Sequence, residues 1–146
     1  MDDIVSFFLR KCSNFVDSKH ALSNIHNVRF KHGSMLDGGM YMKHNYIDGT
    51  LYFYFYGDLD NLSVCNLKQI CIDLIEEYKP KIVKLDFEEV TFVDSTGIGF
   101  VLARYKQLQK MNAQLILCNL SKSNQTIFQM SGIFQLMKQE RNGVKL

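Results

Sequence analysis

Asp94, Ser95, Thr96 and Gly97 are the residues of this chain whose types and spacing most invite chemistry. They lie in TFVDSTGIGF, residues 91–100, where a strand-like apolar run gives way to an amphipathic helical pattern. A carboxylate and two hydroxyls at a helix start have a plain structural use. Asp and Ser oxygens accept from the free N–H groups of the first turn. Capping accounts for one of these groups and leaves two glycines unexplained. Gly97 and Gly99 each cost a helix up to about 1 kcal/mol relative to alanine. Such glycines suit a turn that a partner's backbone or a bulky group must approach closely.

Three catalytic uses of this junction fail on spacing. An aspartic-protease loop sets its Asp directly before Thr-Gly or Ser-Gly, whereas here Ser95 intervenes. A nucleophile elbow needs Gly two residues before the serine, and Val93 stands there. A phosphate-binding loop ends in Gly-Lys-Ser/Thr, which the chain lacks. No His-Asp pair stands in a context that would activate Ser95. The chain therefore reads as a non-enzyme without catalytic residues, and what remains is a hydroxyl that receives chemistry. A phosphoryl group on Ser95 would add about −1.5 to −2 charges at the positive end of a helix. Free N–H groups and the helix dipole stabilise an anion there. A partner docked on the same turn would instead meet new bulk and new charge beside Asp94.

The rest of the sequence must build a scaffold for that turn. Its 146 residues, 47% apolar and 22% charged, suit one soluble globular domain with a single core. The formal charge is +2 with basic residues scattered, so no electrostatic footprint for nucleic acid is present. MDDIVSFFLRKCSNF lacks the basic start and long apolar stretch of a signal peptide, and no apolar run approaches the roughly 20 residues of a membrane span. A cytoplasmic protein with no membrane partner is expected. Cys12, Cys65, Cys71 and Cys118 form no CxxC pair and read as buried reduced thiols. The sixfold spacing of His20, His26 and His32 places them on different helix faces, so neither a metal nor a cofactor is expected.

The pattern divides near residue 40. Residues 1–40 hold a short helix candidate with Ile4, Val5, Phe8, Leu9 and Cys12 on one face, then a polar stretch and the breaker LDGGM. Beyond it, Asp48-Gly49 joins two aromatic, β-branched runs as a hairpin, and Tyr52, Tyr54 and Tyr56 alternate with Leu51, Phe53 and Phe55 at strand period. A helix follows with Leu67, Ile70, Cys71, Leu74, Ile75 and Tyr78 on one face, ended by Pro80. KIVKLDF is a strand that VTFV either continues or leaves in a turn. The helix after Asp94 is expected to bury Ile98, Val101, Leu102, Tyr105, Leu108 and Met111, with Arg104, Lys106, Gln107 and Lys110 outside. AQLILCNL is a strand, and SKSNQTIFQMSGIFQLMK reads as two short helices broken at Ser131-Gly132. A hairpin followed by strand–helix–strand units implies a mixed sheet with helices packed on it.

Three ordered motifs, GDLD (57–60), VKLDFEEVTFVDSTGIGFVLARYKQLQK (83–110) and FQMSGIFQLMK (128–138), resemble the STAS-domain anti-sigma factor antagonists of bacterial sporulation and general stress responses. The likeness runs over roughly residues 42–138. It implies an α/β STAS fold, a four- to five-stranded mixed sheet flanked by about four helices, over residues 41–146. It also implies a partner-switching cycle that regulates transcription. In that cycle the unphosphorylated antagonist binds an ATP-bound anti-sigma factor serine kinase and releases the sigma factor. The kinase phosphorylates the serine after the motif Asp and binding ends, and a PP2C-type phosphatase restores the active form. Carried onto this chain, the acceptor is Ser95, with Thr96 as the second hydroxyl. Asp94, Ser95, Thr96, Gly97 and Ile98 form the binding turn, and Asp58 and Asp60 a second contact region. The resemblance leaves one alternative, a STAS scaffold of a stressosome-like or transport complex that Ser95 phosphorylation does not control. Residues 1–40 depart from the family pattern, as a start placed ahead of Met42 or as a genuine extra helix.

Overall fold

The computed structural model describes residues 26–29 and 41–146. The helix candidate at residues 4–12, Cys12, His20, His32 and the LDGGM breaker lie outside the described residues. The elements run β1 (His26–Arg29), β2 (Tyr41–Ile47), β3 (Thr50–Leu59), α1 (Asn61–Tyr78), β4 (Ile82–Val93), α2 (Ser95–Lys110), β5 (Gln114–Cys118), α3 (Lys122–Met130), a 3-10 turn (Ile133–Gln135), β6 (Lys138–Arg141) and β7 (Val144–Lys145).

The strands form one sheet in sequential order β1 to β7. Pairing is antiparallel at β1–β2, β2–β3 and β6–β7, and parallel from β3 through β6. The α/β mixed sheet is the one expected from the pattern, widened at its edges by the short strands β1, β6 and β7. Each parallel step moves in one direction across the sheet through a helical crossover. Right-handed crossovers of this kind place successive helices on the same face. Three aromatic contacts and one sulfur contact from that face agree. Phe55 meets Phe100 of α2 at 6.0 Å, Phe87 meets Phe128 of α3 at 5.5 Å, His44 meets Tyr78 of α1 at 5.8 Å, and Cys71 of α1 lies 3.6 Å (Sγ to Sδ) from Met42.

The core lies between this face and the helices, with Leu51, Phe53, Phe55, Val83, Leu85, Phe87, Leu115 and Leu117 alternating into it at period two. Leu67, Cys71 and Ile75 of α1 are buried against it as the helical spacing predicts. Lys79 takes the left-handed conformation (φ 47°) as the C-cap, and Pro80 prevents continuation. Burial pushes the thiols of Cys71 and Cys118 up to about 12, so both are held protonated, and Cys65 is exposed.

One open alternative is decided and two expectations change. VTFV continues the strand, so β4 runs twelve residues to Val93, with register shifts where it pairs with the end of β3. The second of the two short helices after Ser121 is a single 3-10 turn. Gly132 breaks α3 at φ 78°, and the chain extends again by Lys138 into a β6–β7 hairpin turning at Asn142-Gly143. Of the side chains expected inside on α2, Val101 and Leu108 are buried and Ile98, Leu102, Tyr105 and Met111 pack half-buried against the core, but Gly97, Phe100 and Arg104 are buried beside them, so the face is turned further than expected. Arg104 is 6% exposed. Its Nη1 donates to the Lys68 carbonyl at 3.3 Å and its guanidinium lies 5.4 Å from the Phe100 ring, joining α2 to α1. Burial lowers its pKa from the ordinary arginine value. The planar, weakly hydrated guanidinium tolerates a helix–helix seam that an ammonium would not.

Candidate functional site

The parallel strands β3 and β4 end side by side, with Leu59 paired to Val93. The next residue of each strand is a helix N-cap. Asp60 accepts from the backbone N–H groups of Leu62 (3.1 Å) and Ser63 (3.0 Å), while the Ser63 hydroxyl receives the Asp60 N–H at 2.9 Å. Asp94 accepts from the Gly97 N–H at 3.0 Å, and its own N–H bonds the Leu59 carbonyl at 3.3 Å. Two helix starts therefore open at one place, at the carboxyl edge of the parallel strands. Open α/β sheets commonly bind their ligands at that edge.

Six of the seven site residues predicted from sequence fall into three groups, and the seventh, Asp58, stands on the neighbouring strand end. Asp60 and Asp94 are caps and hold the two turns in shape. Gly97 is buried and fills a packing role, since a Cβ there would lie 2.5 Å from the Leu59 carbonyl oxygen and 2.9 Å from Val93 Cγ1. The expected room for a partner at Gly97 is thus taken by β3 itself. Gly99 differs, having nothing within 4 Å of its would-be Cβ. Ser95, Thr96 and Ile98 form the outer surface of the turn. Ser95 is exposed, whereas Thr96 and Ile98 are half-buried. Because Asp94 is the cap, Ser95 occupies the first helical position and its hydroxyl is not used in capping.

Asp58 lies on the neighbouring strand end, exposed and opposite Phe92. It accepts a hydrogen bond from the Thr91 hydroxyl, which ties the ends of β3 and β4 together outside the backbone ladder. Gly57, at φ 108°, takes a conformation that favours glycine and stands at the register shift that turns Asp58 outward. Asp58, Asp60 and Asp94 thus gather three carboxylates around the Ser95 turn.

Two exposed apolar side chains border this acidic edge and were not among the residues expected from sequence. Leu62 in the first turn of α1 is 59% exposed, and Phe92 beside Asp58 is 49% exposed. Leu62 carried a signal, because it lies off the apolar face of its helix, on the side shared with Asn66 and Gln69. Phe92 carried none. Only the register shift in β4 sends it outward while Val90 and Val93 are buried.

The STAS domain model matches residues 41–144. Over 89 residues the chain is 25% identical to an anti-sigma F factor antagonist of Paenibacillus polymyxa, covering 61% of this chain and 76% of that protein. It is similar to the solved structure of the anti-sigma factor antagonist SpoIIAA in its unphosphorylated form. The TM-score is 0.60 at 26% identity, covering 67% of this chain and 86% of that one. The Bacillus cell fate determinant SpoIIAA in its phosphorylated form matches with a TM-score of 0.55 at 26% identity, over 67% of this chain and 89% of that one. With sequence motifs, sheet order and family model in agreement, the chain belongs to the STAS domain family.

Proposed function

We propose that this protein is an anti-sigma factor antagonist whose binding is switched by phosphorylation of Ser95. In its unphosphorylated form it docks the edge where α1 and α2 begin onto an ATP-bound anti-sigma factor serine kinase, and the sigma factor is released. Transfer of phosphate to Ser95 ends that complex, and a PP2C-type phosphatase resets it. The observation that carries this reading is an exposed Ser95 at the first position of α2, inside an edge that also exposes Leu62 and Phe92.

The physics of the switch is local. A phosphate at the start of α2 faces the free N–H groups of its own helix, so the domain keeps its fold. The same phosphate joins Asp58, Asp60 and Asp94 on a surface that a partner must desolvate. A docked acidic or apolar surface would then face like charge or an unpaired ion. Thr96, half-buried on the same turn, is the less accessible hydroxyl.

Leu62 and Phe92 supply the apolar contact that carboxylates alone do not. Leu62→Ser and Phe92→Ser are each expected to weaken binding to the cognate anti-sigma factor kinase by about 10- to 100-fold. Leu62 is mostly exposed and Phe92 half-exposed, so each change should leave stability within about 1 kcal/mol. Calorimetric titration in a non-hydrolysable ATP analogue, with thermal melts in parallel, measures both quantities. Two variants that bind like the parent would remove this edge from the interface.

A further inference from the structure

Counted by two from Val90, strand period would bury Phe92. Val83, Leu85, Phe87 and Val90 of β4 are buried, but the next buried side chain is Val93. Alternation therefore breaks just after Val90, where the ladder to β3 passes from Gly57–Val90 to Asp58–Phe92. The peptide at that break has a tie of its own. β5 pairs with β4 only as far as Asp86, so among the described residues no strand flanks β4 beyond it on that side. α3 takes that place. Phe128 packs against Phe87, and one turn earlier Asn124 Nδ2 donates to the Val90 carbonyl at 3.2 Å. Asn124 is 1% exposed. A buried amide costs stability unless it is bonded, and an apolar side chain would otherwise serve the core better. The Asn124 backbone N–H donates to the Ser121 cap hydroxyl at 3.1 Å, which fixes the turn that carries the amide.

We propose that Asn124 is a positioning residue for the partner-binding edge, although α3 contributes none of the residues named there. With its carbonyl held by α3, the Val90–Thr91 peptide stays out of the regular ladder. One extra residue of β4, Thr91, is thereby accommodated against β3, in the manner of a bulge. That single step sends Phe92 outward and brings the Thr91 hydroxyl onto Asp58. Without the amide, the Val90 carbonyl loses its partner in a buried place, and β4 regains one by slipping back toward its ladder. A slip of one residue turns Phe92 to the other face. The effect of Asn124 on binding rests on the docking edge proposed above, whereas its effect on Phe92 does not.

The chain contains no tryptophan, so Phe92→Trp gives a single fluorescent reporter at the edge. Adding Asn124→Val, which removes the amide donor at similar size, should shift the emission to shorter wavelength and lower its quenching by acrylamide. In the parental background, Asn124→Val should weaken binding to the cognate anti-sigma factor kinase by about tenfold. In a Phe92→Ser background the same change should cost less than about threefold, because the residue it acts through is gone. An unchanged or red-shifted tryptophan signal overturns the proposal, and so does an equal effect on binding in both backgrounds. If Phe92→Ser itself binds like the parent, the docking edge fails, and the tryptophan signal alone decides the role of Asn124. Should Asn124→Val not fold, Asn124→Ala takes its place. If neither folds, side-chain amide exchange in the parent decides. The Asn124 protons should then exchange at least about tenfold slower than those of exposed Asn61, and equal rates overturn the proposal.

Discussion

Ser95→Asp is expected to weaken binding to the cognate anti-sigma factor kinase by about 100-fold or more, close to 3 kcal/mol. The carboxylate adds a fourth negative charge to an edge already carrying Asp58, Asp60 and Asp94, at a position fully available to a partner. The fold should not suffer. An acidic residue in the first turn of a helix stabilises it by about 0.3–1 kcal/mol, so Ser95→Asp should melt at or slightly above the parental temperature. Ser95→Ala removes the acceptor and little of the surface, and it should bind within about threefold of the parent (under 1 kcal/mol). The pair separates charge from shape. Loss of binding in Ser95→Asp together with a lowered melting temperature would point to misfolding instead of a switch.

The two glycines after Ser95 should respond in opposite directions. Gly97→Ala places a methyl group 2.5 Å from the Leu59 carbonyl oxygen, a backbone atom that cannot turn aside. Overpacking of this kind costs about 1–3 kcal/mol, which outweighs the roughly 1 kcal/mol that alanine gains in helix propensity. The melting temperature should fall by about 3–6 °C for a net loss near 1 kcal/mol in a domain of this size. Gly99→Ala meets nothing within 4 Å and should stabilise the helix by about 0.5–1 kcal/mol. Gly99 also shares a helix face with Ser95, four residues on. Its new methyl group therefore stands where the partner is expected, and binding should weaken by about tenfold, near 1.4 kcal/mol. A more stable variant that binds less well would identify Gly99 as the glycine kept open for the partner.

Much of this arrangement is legible in the sequence because it depends on local pattern. Asp48-Gly49 marks a hairpin wherever it lies between strand-like runs, and the buried line of α1 follows from its 3.6-residue period. Asp94 could be read as a cap because capping needs only the residues that follow it. What stayed hidden depends on packing between distant segments. The rotation of α2 is set by how closely it approaches β3, and that is decided at Gly97, a residue with no apolar side chain to register in a periodic pattern. Once α2 is so turned, Phe100 enters the core and Arg104 the seam with α1, although arginine by type belongs outside. The Thr91–Asp58 bond and the exposure of Phe92 arise from register shifts between β3 and β4, which a single strand pattern does not encode. Asn142-Gly143 did carry a hairpin signal, but the strands beside it are short and polar.

The most direct test of the switch is to follow phosphate and complex together. The full-length protein, incubated with its cognate anti-sigma factor kinase and ATP, should acquire one phosphate, mapped by peptide sequencing to Ser95. The complex should dissociate as that phosphate accumulates, and Ser95→Ala should stay bound and unmodified. Phosphate on Thr96 alone, or a Ser95-phosphorylated form that still binds the kinase as tightly as before, would contradict the account.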